Sequence, residues 1–96
     1  MSSRLDFLHA NSDAIKVIAA RHKALKISVF GSVARGEDGP ESDIDFLVTF
    51  TPDASLTDLA GLHDSLEEFL NAPVDVISSG GLKPRDSHIR EEALAL

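Results

Sequence analysis

Residues 31–50 read GSVARGEDGPESDIDFLVTF. The last eight, DIDFLVTF, carry the strongest strand pattern in the chain, rich in branched and aromatic side chains. Side chains alternate across a strand. Asp43, Asp45, Leu47 and Thr49 therefore share one face, and Ile44, Phe46 and Val48 the other. The acidic pair stands where the strand begins, and its own face turns apolar at Leu47. This predicts two carboxylates at one end of a sheet, over the edge of the core. Residues i and i+2 on a strand lie roughly 6–7 Å apart at the backbone. Two carboxylates so placed repel, and poor solvation makes each costlier. A divalent cation between them removes both penalties. Oxygen ligands of this kind suit Mg²⁺, which takes one or two carboxylates together with phosphate oxygens.

Just upstream, KISVF at 26–30 reads as a short strand ending on Gly31-Ser32. A strand that ends in Gly-Ser at a helix start offers backbone N–H groups, a hydroxyl and a positive dipole end. Glycine also lets a phosphate approach the backbone closely. Such a turn is expected to cradle the terminal phosphates of a nucleoside triphosphate whose α-phosphate lies at the aspartates. SVAR makes one helical turn with Gly36 beyond its end. Residues 37–42, EDGPES, are a loop by composition, and Glu37, Asp38 and Glu41 read as solvated charges.

Downstream, VDVIS at 74–78 reads as a third strand, interrupted by Asp75. If it lies beside 43–50, Asp75 reaches the same metal. Two ions about 3.5–4 Å apart would then clamp the attacking and leaving oxygens of an in-line phosphoryl displacement. Taken singly, Gly-Ser, Asp-x-Asp and a strand aspartate are ordinary surface features. Their occurrence in order, on three strand ends, carries the argument.

The remaining elements are helical. Leu5, Leu8, Ile15, Ile18, Ala19 and Leu25 recur at helical spacing, and NSD at 11–13 breaks this stretch, with Asn11 or Ser12 as N-cap. His22 reads as a solvated histidine at the helix end. Ser55 with Asp58 resembles a capping box that opens a helix running to about Leu70, with Leu59, Leu62, Leu66, Phe69 and Leu70 inward. His63 reads as a boundary residue there. SGGLKP is a turn, and 86–95 reads as a last helix bearing Ile89 and Leu94. The order predicts an α/β (α+β) fold, a small mixed sheet covered by helices, in a single domain over 1–96. The strand order does not follow from this pattern.

Composition narrows the function. With 96 residues and 43% hydrophobic side chains, the chain suits one globular domain. A net charge of −7 argues against direct nucleic-acid binding, which needs a basic face. It does not oppose a nucleotide, because a divalent ion reverses the local sign. No cysteine is present, so disulfides and thiolate sites are excluded. The N-terminus lacks a signal-type apolar core and no run is long enough for a membrane span, so the cytoplasm is the expected location.

The stretch GSVARGEDGPESDIDFLV closely resembles the signature of the DNA polymerase β nucleotidyltransferase superfamily: Gly-Ser, about ten residues, then Asp-x-Asp. ARGE and SDID look like the minimal nucleotidyltransferases of bacteria and archaea, and the VDVI strand and IREEAL extend the likeness over nearly the whole chain. The resemblance implies that Gly31 and Ser32 bind phosphates. It implies that Asp43 and Asp45 hold Mg²⁺, and that Asp75 is the third carboxylate. It also implies that an acceptor hydroxyl attacks the α-phosphate of ATP while pyrophosphate leaves, with metal lowering the hydroxyl pKa and Asp75 placed to take its proton. Members of this kind often act as antitoxin beside a HEPN-domain ribonuclease toxin, transferring AMP to a toxin tyrosine. This chain has no tyrosine, so it could not modify itself there. A hetero-oligomer with such a toxin is the expected assembly. Arg35 steadies a phosphate or is a surface arginine. Lys83 and Arg85 reach the triphosphate or a partner, or are a solvated helix entry. Two rival readings stand beside this one. One is a non-catalytic antitoxin that neutralises by contact. The other is a subunit of an enzyme modifying a small molecule such as an aminoglycoside, whose acceptor domain 96 residues cannot hold.

Overall fold

The computed structural model describes residues 3–39 and 42–96. Its elements, in chain order, are α1 (Arg4–Ala10), α2 (Ser12–Arg21), β1 (Ala24–Phe30), α3 (Gly31–Arg35), β2 (Ile44–Phe50), α4 (Leu56–Leu70), β3 (Val74–Ser78), two 3-10 turns (Ser79–Gly81 and Pro84–Asp86), α5 (Ser87–Glu92) and β4 (Leu94–Ala95). Glu41, read from sequence as a loop charge, lies outside the described residues.

The four strands form one mixed sheet in the order β3-β2-β1-β4. β1 runs antiparallel to β2 and to β4, whereas β2 and β3 are parallel. A parallel pair needs a long crossover, and α4 supplies it. The helix is opened by the Ser55–Asp58 box, in which the Ser55 N–H donates to Asp58 Oδ2 at 2.9 Å. It closes on Asn71 in the left-handed region, φ 52°.

Alternation along β2 decides which face is core. Ile44, Phe46 and Val48 are buried, while Asp45, Leu47 and Thr49 are only partly covered. The buried set packs with Ile27, Val29 and Val74 of the neighbouring strands, and against Leu8, Ile15, Ala19, Leu62 and Leu66 of α1, α2 and α4. Each fully buried Leu, Ile or Phe side chain here contributes about 1.5–3 kcal/mol relative to exposure. The helical layer therefore covers one face, and the face bearing Asp45 is left for other work.

Four details depart from the sequence reading. The last helix stops at Glu92, because Ala93 turns extended (φ −66°, ψ 132°), and Leu94–Ala95 becomes β4 rather than helix. Leu25 belongs to β1 and is 65% exposed, and Phe69 is 40% exposed, so neither is core. Asn11 stands at the start of α2, but its side-chain amide donates to the Phe7 carbonyl of α1 instead of capping α2. His22 is only partly exposed: its Nε2 lies 3.1 Å from Ser65 Oγ on α4, and the ring packs over Gly61, where a Cβ would come within 2.8 Å of Nδ1.

Candidate active site

The parallel β2–β3 register sets Asp45 beside Asp75. Paired residues in a ladder project to the same side, so the two carboxylates share the uncovered face. Asp43, one residue before β2, adds a third negative charge that is felt at Asp45. Burial pushes the Asp45 carboxyl above its ordinary pKa. The Asp75 charge, a hydrogen bond with Asp75 and the Asp43 charge push it further, while Arg35 opposes them. Asp43 and Asp75 are themselves exposed. The aspartates predicted from sequence are thus brought to one strand-end cluster. Its charge is poorly compensated by the chain, and its donors are all hard oxygens. Hard oxygen donors of this kind suit Mg²⁺, and Asp43, Asp45 and Asp75 are the residues that could hold it.

On the other side of β2, Asp45 is paired with Phe30, the last residue of β1. Gly31 follows at φ +74°, in the left-handed region that glycine tolerates. It is pressed so close to Asp45 that a Cβ there would lie 2.3 Å from Oδ2. No other residue fits without moving the aspartate. Ser32 and Arg35 follow on α3, and Gly36 (φ +72°) ends the helix. The Gly-Ser turn and the Asp-x-Asp strand are therefore one unit.

Arg35 is exposed and doubly paired. Its Nε donates to Glu37 at 2.9 Å and its Nη1 to Glu92 of α5 at 2.7 Å. Both partners raise its pKa, the hydrogen bond to Glu37 most. Lys83 and Arg85 lie in the exposed turn before α5, where the Lys83 backbone N–H donates to Asp86 at 3.1 Å. The cation felt at Asp45 is Arg35.

Two residues of this neighbourhood escaped the sequence reading. Arg4 of α1 donates to the Ser42 carbonyl and lies 3.8 Å from Asp38, so it ties down the chain that leads into Asp43. Asp38 is accordingly no free loop charge. Its side chain is 12% exposed. Glu92 accepts the Gly31 N–H at 2.6 Å as well as Arg35. No local signal marks either residue, since their partners lie far away in sequence. Among the described residues, ligand-type atoms on His63, Asp64 and Glu67 of α4 also gather within 4.8 Å of one another. These carboxylates are already engaged by the His63 ring, and Glu67 also accepts the Val74 N–H. Among the described residues, no helix is long and apolar enough to cross a membrane.

The sequence pattern of the nucleotidyltransferase domain matches residues 12–95. Over 68 residues the chain is 38% identical to protein adenylyltransferase MntA of Thermococcus cleftensis, covering 71% of this chain and 69% of that one. Over 67 residues it is 43% identical to a provisionally named protein adenylyltransferase of Methanocaldococcus jannaschii, covering 70% of this chain and 72% of the relative. A solved structure provisionally described as a minimal nucleotidyltransferase superposes with a TM-score of 0.86 at 43% identity, over 96% of this chain and 95% of that one. The fold also matches a complex of MNT antitoxin with tri-AMPylated HEPN toxin from Shewanella oneidensis, with a TM-score of 0.67 at 18% identity, over 91% and 69% of the two chains.

Proposed function

The chain belongs to the nucleotidyltransferase domain family, and from that premise we propose that it transfers AMP from ATP to a tyrosine hydroxyl of a HEPN-type ribonuclease toxin and so acts as the antitoxin. The observation that carries this reading is the junction of Gly31, Asp45 and Asp75, a glycine turn seated on one of two paired carboxylates. The protein adenylyltransferase name of its relatives, and the AMPylated toxin in one fold neighbour, support protein as the acceptor.

In this reading Gly31 and Ser32 hold the triphosphate end through backbone N–H and hydroxyl, and Arg35 balances its charge. Asp43 and Asp45 hold Mg²⁺, which when bound supplies charge neutralisation at the α-phosphate and acidifies the attacking hydroxyl. Asp75, beside Asp45 and open to solvent, takes the acceptor proton. The hydroxyl oxygen bonds to the α-phosphorus, the bond to the bridging oxygen breaks, and pyrophosphate leaves. Lys83 and Arg85, exposed in the turn before α5, meet the triphosphate or the partner. The working unit is then a hetero-oligomer, and a stable partner interface buries at least about 1,000 Å².

The test replaces Asp43 and Asp45 together by Asn, which removes charge and keeps volume. The fold is expected to survive, and AMP addition to the co-purified partner, read by mass spectrometry, is expected to fall by orders of magnitude. Labelling at the wild-type rate would remove the catalytic assignment. Loss of labelling with neutralisation intact in cells would replace it by antitoxin action through contact alone.

A further inference from the structure

We propose that Glu92 is a built-in rival of the nucleotide, a side-chain carboxylate seated on the donors that a phosphate needs, which ATP must displace to bind. The inference rests on the phosphate-binding role given above to Gly31 and Arg35. One carboxylate oxygen, Glu92 Oε1, accepts from the Gly31 N–H at 2.6 Å and from Arg35 Nη1 at 2.7 Å. A backbone N–H and a guanidinium converging on one anionic oxygen is the arrangement by which proteins hold phosphate oxygens. Gly31 lies close against Asp45 at φ +74°, so the Glu92 carboxylate is seated beside the candidate metal ligands.

The rival comes from a separate part of the molecule. Glu92 is the last residue of α5, and the chain continues directly into β4, which pairs with β1 at Ser28 and Val29. The segment is lightly held: α5 has no fully buried residue, and β4 is two exposed residues long. Arg90 ties it back by donating to the Ser79 carbonyl at 2.8 Å. Release of Glu92 therefore loosens residues 87–95 without opening the core. Glu92 sets nucleotide affinity, and nucleotide in turn sets the order of α5 and β4.

The experiment measures Mg-ATP binding by calorimetry to the wild-type chain, Glu92→Gln, Glu92→Ala and Glu91→Gln. Glu91 is the exposed neighbour and gives the same change of charge without touching Gly31. The expected result is tighter binding by both Glu92 variants, about tenfold for Glu92→Ala (a difference of about 1.4 kcal/mol), and no gain for Glu91→Gln. In the wild-type chain, hydrogen exchange of amides 87–95 is expected to quicken on saturation with Mg-ATP. Equal or weaker binding by folded Glu92 variants, an equal gain in Glu91→Gln, or slower exchange on binding would overturn the proposal and leave the nucleotidyltransferase reading in place. Absence of Mg-ATP binding in all four proteins would overturn both.

Discussion

Asp45 and Asp75 are direct partners across the parallel β2–β3 ladder, and the Asp75 charge makes that of Asp45 harder to hold. The Asp45 carboxyl is raised above 3.8, so the folded state takes up its proton at higher pH than the unfolded chain does. Between 3.8 and the folded pKa the native state binds more protons, and this group's contribution to stability falls as pH rises. Asp45→Asn removes that penalty. In metal-free buffer the variant is expected to melt above the wild type at pH 7, with the gain shrinking as pH falls towards 3.8. A gain that grows on acidification would contradict the sign.

Metal is expected to decide nucleotide binding. Three carboxylates repel a bare triphosphate, and a divalent ion turns the same cluster into an attractor. Calorimetry with ATP should show strong binding with Mg²⁺ or Mn²⁺ and little with EDTA. Equal affinity in both buffers would remove the ion from the account.

Asp75→Asn separates proton transfer from binding. The variant keeps two of the three carboxylates that would hold the metal, so KM for Mg-ATP should change less than kcat. Loss of a general base costs about 10²–10⁴-fold in kcat. Steady-state AMP transfer to the partner, with both parameters resolved, distinguishes this from a binding defect.

Gly31→Ala tests the junction of turn and strand. The φ of +74° alone costs an L side chain about 1–3 kcal/mol. The new Cβ also forces Asp45 Oδ2 away from a 2.3 Å approach. Both Tm and AMP transfer should fall. Gly61→Ala is the contrasting case: its Cβ meets the His22 ring at 2.8 Å, between α2 and α4. It should lower Tm by a strain of about 1–3 kcal/mol while leaving the transfer rate of the folded fraction unchanged.

The layout of the candidate site was legible in the sequence where the information is local. Alternation within IDFLVTF separates Asp45 from Phe46, and an aspartate breaking VDVIS marks a strand with one open face. The capping box at Ser55 and Asp58 is a four-residue pattern and reads directly. What escaped depends on partners distant in sequence. Glu92 and Arg4 look like surface charges until Gly31 and Ser42 are beside them. β4 is too short for any periodicity, and its backbone turns extended only where β1 offers an edge. His22 lies at a predicted helix end, and only the tertiary approach of α4 half-buries it.

Because Leu94 is the strand partner of Val29, the sheet is completed only once residues 94–95 have been made. On the ribosome β1, β2 and β3 emerge with α4 and can pair, while the outer edge of β1 waits for the segment that follows α5. An edge left bare in this way invites pairing with other chains. During that interval Gly31 also lacks Glu92, so the nascent protein presents its N–H unclaimed. Emergence of residues 92–95 therefore seals a sheet edge and seats a carboxylate on the glycine turn in one event, and a ribosome stalled before residue 92 would display a chain with both open.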